Sequence, residues 1–127
     1  PMHYVRKKPK GFGVNAHIEG NNIRGKKVIL IEDLTTDGGS KIKFCDSIRK
    51  AGAKVEDAIV LFYYNIYDDV IKKLQKSGIN LFYLACWWDI LDYCKEKKSV
   101  IDIKTIDQIE EFLNSPKEWS QKHDNKN

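Results

Sequence analysis

Apolar residues along this chain gather in three short blocks with charged or polar borders. The first, Val28-Ile29-Leu30-Ile31, follows Lys26-Lys27 and runs into Glu32-Asp33. A short unbroken apolar run fits a buried parallel strand, here over residues 27–34. Residues 55–64, rich in Val, Ile and aromatics, and residues 80–85 predict two further strands. A shorter strand is predicted at residues 3–5, followed by a long loop over 6–22, which is rich in Gly, Pro, Asn and Lys and has no apolar period.

Between the apolar blocks the period changes from that of a strand to that of a helix. Residues 40–51 place Phe44, Cys45, Ile48 and Ala51 on one helical stripe, and Gly52 stands just past its end. Residues 68–76 carry Val70, Ile71 and Leu74 and are closed by Ser77-Gly78. Residues 87–96 direct Trp87, Ile90, Leu91 and Cys94 inward. Thr105-x-x-Gln108 reads as a capping box opening a last helix through Leu113, which Ser115-Pro116 stops. The residues beyond are polar apart from Trp119 and are expected to fray, giving a domain over 1–114 and a polar tail over 115–127.

Strands alternating with helices predict an α/β fold, with a parallel sheet covered on both faces. Ligands of such sheets bind beyond the carboxyl ends of the strands, where Glu32, Asp33 and the following loop fall.

The 127 residues, 42% of them hydrophobic, fit one ordinary domain with a single core. There is no run of about 18 apolar residues and no secretory-signal layout at the start, so the expectation is a cytoplasmic protein without membrane contact. Cys45, Cys86 and Cys94 form no C-x-x-C pair and read as small buried hydrophobes. A net charge of +4 is too small to point to nucleic acid, but its distribution is uneven. Residues 1–27 hold seven basic side chains against the single acid Glu19, which suggests a small polyanion bound nearby or a solvated basic face.

The segment with most chemical content is Val28-Ile-Leu-Ile-Glu-Asp-Leu-Thr-Thr-Asp-Gly-Gly-Ser40. A buried strand delivers Glu32 and Asp33 to its end, where carboxylates can accept hydrogen bonds from vicinal sugar hydroxyls. Thr35, Thr36, Asp37, Gly38, Gly39 and Ser40 then offer backbone N–H groups and hydroxyls at the positive end of a helix, which suits a phosphate. Together the two parts match a ribose 5-phosphate. Thr, Asp, Gly and Ser before a helix also make an ordinary cap, so the loop by itself leaves both readings open.

With its strand and both acids attached, this pattern resembles the phosphoribosyl-pyrophosphate signature of type I phosphoribosyltransferases. A second segment, Tyr4-Val-Arg6-Lys7-Lys8-Pro-Lys10-Gly-Phe-Gly13, resembles the catalytic loop R-K-x-x-K-x-[HY]-G of orotate phosphoribosyltransferases, matching at Arg6, Lys7, Lys10 and Gly13. The resemblance extends from Pro1 to about Glu96. It implies a parallel, Rossmann-like phosphoribosyltransferase sheet with flanking helices, of which the amino-terminal strands and the hood over the base are missing. It implies phosphoribosyl pyrophosphate and orotate as substrates and magnesium bound mainly through the substrate. By the same resemblance, Arg6, Lys7 and Lys10 contact the pyrophosphate, Glu32 and Asp33 the ribose, and 35–40 the 5-phosphate, with Lys10 and Asp33 as catalytic residues. A homodimer or larger oligomer is expected from the bare side that the missing strands leave on a sheet of about four strands. The chain departs from the family at Phe12, which replaces His or Tyr, and in having no arginine after Arg49, although the family places Asp-Arg, whose arginine holds the base, after the strand that here ends Leu61-Phe62-Tyr63-Tyr64-Asn65. A non-catalytic binding module and an inactive remnant are the other readings. Gly11-x-Gly13-x-x-Ala16 imitates a dinucleotide fingerprint, but no apolar strand precedes it and no helix pattern follows.

Overall fold

The computed structural model describes residues 1–6, 18–97 and 101–124. Its centre is a three-stranded parallel sheet of β3 (Lys27–Thr35), β4 (Lys54–Tyr63) and β5 (Asn80–Cys86), in that spatial order. Helix α1 (Gly39–Lys50) joins β3 to β4, and α2 (Val70–Lys76) joins β4 to β5. The strands pair in register, with Leu30 beside Ala58 and Leu81, and Ile31 beside Ile59 and Phe82.

This sequential order decides how the sheet is covered. Crossovers between parallel strands are right-handed, so two successive steps in one direction place both helices on the same face. Leu30, Ala58 and Val60 are buried on the covered side, with Phe44, Cys45 and Ile48 of α1 and Val70 and Leu74 of α2 in the same core. On the other side Ile29, Ile31, Leu61, Phe82 and Leu84 are exposed, Leu84 at 76%. The expectation of a sheet covered on both faces therefore fails among the described residues. The expected bare side is present, on three strands and not about four.

Three boundaries differ from the sequence reading, each for a local reason. Tyr4–Val5 (β1) pairs antiparallel with Ile18–Glu19 (β2) in a small separate sheet, so the loop predicted over 6–22 is interrupted by a strand. The cap of α4 (Ile103–Asn114) is Asp102, not Thr105: the Asp102 side chain accepts from Thr105 N–H at 3.0 Å and Thr105 Oγ1 at 2.7 Å. The residues expected to fray form helix α5 (Pro116–Asp124), which starts on the proline and packs Trp119 edge-on against Phe112 at 5.4 Å.

Helix α3 (Trp87–Glu96) has the predicted limits and buries Leu91 and Cys94, but Ile90 is exposed. All three cysteines are buried and unbridged, and burial pushes the Cys45 thiol up to about 11. Gly52, at φ +86°, ends α1 by donating its N–H to Arg49 O at 2.9 Å. Among the described residues no helix is long and apolar enough to cross a membrane.

Candidate functional site

Strand β3 ends beside the amino terminus of α1, and the turn between them is set by Gly38 at φ +72°. A side chain there would be strained by that φ and would meet Leu74 at 3.2 Å, so glycine lets the loop press against α2. The acid pair, the loop and the positive end of a twelve-residue helix are thereby brought together.

The two acids are held differently. Asp33 is exposed, and its Oδ1 accepts the Leu34 N–H at 2.8 Å. Glu32 is partly buried, and its Oε2 meets the Lys41 ammonium at 2.6 Å as a charge contact without hydrogen-bond alignment. Lys41 Nζ also donates to Leu34 O at 2.7 Å and to Ser40 Oγ at 3.3 Å.

In the loop, Thr35 is buried and its Oγ1 has no hydrogen-bond partner among the described residues, while its carbonyl accepts the Tyr64 N–H at 3.0 Å. Asp37 Oδ1 accepts the Gly39 N–H at 3.0 Å, and Asp37 O accepts from Lys73 Nζ of α2 at 3.1 Å. The structure thus groups Glu32, Asp33 and 35–40 at one sheet end.

Of the expected pyrophosphate ligands, Lys7 and Lys10 lie outside the described residues. Arg6 donates from Nε to Glu19 Oε1 at 2.7 Å, across the β1–β2 pair. Just beyond β4, Asn65 adopts φ +52°, its carbonyl accepting from Trp88 Nε1 at 2.8 Å.

The lysines at 41 and 73 were not singled out from the sequence. For Lys41 a signal existed: it stands three, four and seven positions before Phe44, Cys45 and Ile48, on the stripe that turns into the core. Lys73 left none, because an exposed lysine on α2 looks like ordinary surface.

No family model matches the chain. It is 47% identical over 121 residues to the orotate phosphoribosyltransferase of a Ruegeria species, an alignment covering 95% of this chain and 53% of that protein. It is 48% identical over 119 residues to the orotate phosphoribosyltransferase of Cereibacter sphaeroides, covering 94% and 51%. The chain therefore spans about half the length of these relatives. Among solved structures, the UMP synthase of Leishmania donovani superposes with a TM-score of 0.73 at 25% identity, over 89% of this chain and 24% of that one. The orotate phosphoribosyltransferase of Aeropyrum pernix superposes with a TM-score of 0.64 at 28% identity, over 76% and 52%. Along nearly its whole length, the chain is therefore similar to about half of an orotate phosphoribosyltransferase.

Proposed function

We propose that this chain carries the phosphoribosyl-pyrophosphate site of an orotate phosphoribosyltransferase, which transfers ribose 5-phosphate to orotate in pyrimidine biosynthesis and releases pyrophosphate. The observation that carries the reading is the Gly38 turn, which opens α1 directly beyond the Glu32-Asp33 pair. The buried hydroxyl of Thr35 at the end of β3, which has no partner among the described residues, supports it, since such groups in native proteins call for a partner.

In this reading the 5-phosphate lies against residues 35–40, where backbone N–H groups and the helix end favour negative charge. Asp33 and Glu32 accept hydrogen bonds from the ribose hydroxyls. Arg6, Lys7 and Lys10 neutralise the leaving pyrophosphate as the bond from the anomeric carbon to its oxygen breaks and a bond to a pyrimidine nitrogen forms. The transition state carries positive charge on the sugar, so no nucleophilic side chain is needed, and by the family resemblance Lys10 and Asp33 are the catalytic residues.

Magnesium fits this donor set as a companion of the substrate. The described residues contain no group of three His, Cys, Asp or Glu able to hold a metal. Mg²⁺ is commonly bound by one or two carboxylates together with substrate phosphates, and Asp33 is the exposed carboxylate of the acid pair. When bound, the ion supplies charge neutralisation on the pyrophosphate.

The site is proposed to work in the cytoplasm. The uncovered sheet face is proposed to be covered by a second copy, because a contiguous apolar patch of this kind marks an association surface.

Calorimetric titration of the chain with phosphoribosyl pyrophosphate and magnesium tests the reading, followed by an assay of orotidylate formation. Saturable binding with turnover below about 1 per second is expected, because no arginine follows Arg49 in this sequence to hold the base. Absence of binding at millimolar ligand would overturn it.

A further inference from the structure

Lys41 is the only buried charged residue among those described, 2% exposed. It sits in the first turn of α1, where the helix dipole opposes a cation. Both conditions disfavour an ammonium, so its contacts must offset them. Those contacts reach three separate parts of the site: Glu32 in the acid pair at 2.6 Å, the Leu34 carbonyl at the exit from β3 at 2.7 Å, and the Ser40 hydroxyl of the loop at 3.3 Å. An ordinary core position on the Phe44-Cys45-Ile48 stripe would be filled more favourably by leucine or methionine.

We propose that Lys41 is a positioning residue for the phosphoribosyl site. Its ammonium fastens the acid pair, the turn and the loop into one frame, and it holds Glu32 Oε2 in that frame beside Asp33, so that the two acids meet the ligand in a fixed geometry. This rests on the function proposed above. The frame itself exists without ligand, so it can be tested separately. Ser40 accepts from Lys41 through its oxygen, which leaves its own O–H to donate to a phosphate.

The test compares the wild-type chain, Lys41→Met, and the double variant Lys41→Met with Glu32→Gln. The double variant also removes the carboxylate that the single variant leaves unpaired in a partly buried place. Amide hydrogen exchange in residues 34–40 is read against exchange in β5, and affinity for phosphoribosyl pyrophosphate is read by calorimetry. The expected result is exchange at least about tenfold faster in 34–40 with β5 unchanged, and affinity at least about tenfold weaker, in both variants. The double variant should regain the thermal stability that the single one loses, yet keep the fast loop and the weak binding. If it regains loop protection together with stability, Lys41 serves the fold alone and the proposal fails. Unchanged exchange in both variants also overturns it. Should the wild-type chain not bind phosphoribosyl pyrophosphate at all, the proposed function fails, while the exchange comparison still decides the role of Lys41.

Discussion

Asp37 Oδ1 accepts the Gly39 N–H at 3.0 Å, so a carboxylate of the chain itself rests on the amino end of α1. A phosphate arriving at that end competes with it for the same donor. Replacing Asp37 by alanine removes both the competitor and a like charge. Asp37→Ala is expected to tighten binding of phosphoribosyl pyrophosphate about twofold to fivefold at low salt, the scale of one charge near a helix end. Weaker binding in calorimetry would mean that Asp37 shapes the loop more than it blocks it.

The same bond makes a pH prediction. The Gly39 N–H holds the Asp37 carboxyl below its ordinary value of 3.8, burial works against it, and the Lys73 ammonium adds to the lowering. A carboxyl lowered on folding contributes stability that is fully present above its unfolded value of about 3.9 and is lost as pH falls through the folded value. The stability difference between wild type and Asp37→Ala should therefore be constant above about pH 4 and shrink below it. Asp37 is exposed, so the effect is small, and urea titrations across that range measure it. A difference that grows on acidification would contradict the assignment.

Gly38→Ala should destabilise the chain by about 1 to 2 kcal/mol, because φ +72° strains any L side chain and the new methyl meets Leu74 at 3.2 Å. Denaturant midpoints check this. The loop can relieve the strain only by moving away from α2, so ligand affinity should fall together with stability.

The strand blocks and helical stripes of the α/β unit were legible in the sequence because local pattern and burial agree there. Val28-Ile-Leu-Ile31 and the Phe44-Cys45-Ile48 stripe correspond to the observed β3 and to the buried side of α1. The acid pair and loop were legible for the same reason, being one continuous segment. What escaped depends on partners distant in sequence. Residues 18 and 19 form a strand only because Tyr4 and Val5 lie beside them. Pro116 was read as a stop although proline also suits the first position of a helix, and Trp119 has Phe112 to pack against. Which faces of the sheet are covered depends on strand order, and hydrophobic pattern does not encode that.

Arg49 links the end of α1 to the start of β4 and the end of α2 through three carbonyls. Nη1 donates to Ser77 O at 2.9 Å, and Nη2 donates to Val55 O at 3.0 Å and to Gly78 O at 2.9 Å. Arg49→Met keeps much of the packing and removes every donor, so a loss of about 2 to 3 kcal/mol is expected from charge-assisted bonds to partly buried acceptors. Arg49→Lys should recover only part of it, since one ammonium cannot reproduce the fork. Equal stability of the methionine variant and wild type in urea denaturation would show that water replaces the guanidinium without loss.

The exposed sheet face gives the last prediction. Ile31 on β3 and Leu84 on β5 are 69% and 76% exposed, with Leu61 and Phe82 also exposed on the same side. Such a patch is stabilised by burial, and a closed two-copy contact is the commonest symmetric arrangement. The chain is therefore expected to sediment as a dimer or larger species at micromolar concentration. Lysine at both positions should leave the core intact, because neither side chain belongs to it. Fully burying one such aliphatic side chain is worth about 1.5 to 3 kcal/mol, and two lysines would place charge where that burial occurred. Ile31→Lys with Leu84→Lys should accordingly weaken association by at least about a hundredfold, leaving monomer at concentrations where wild type is assembled. Wild-type chain that sediments only as monomer, or a double variant that assembles as before, would show that this face is not where two copies meet.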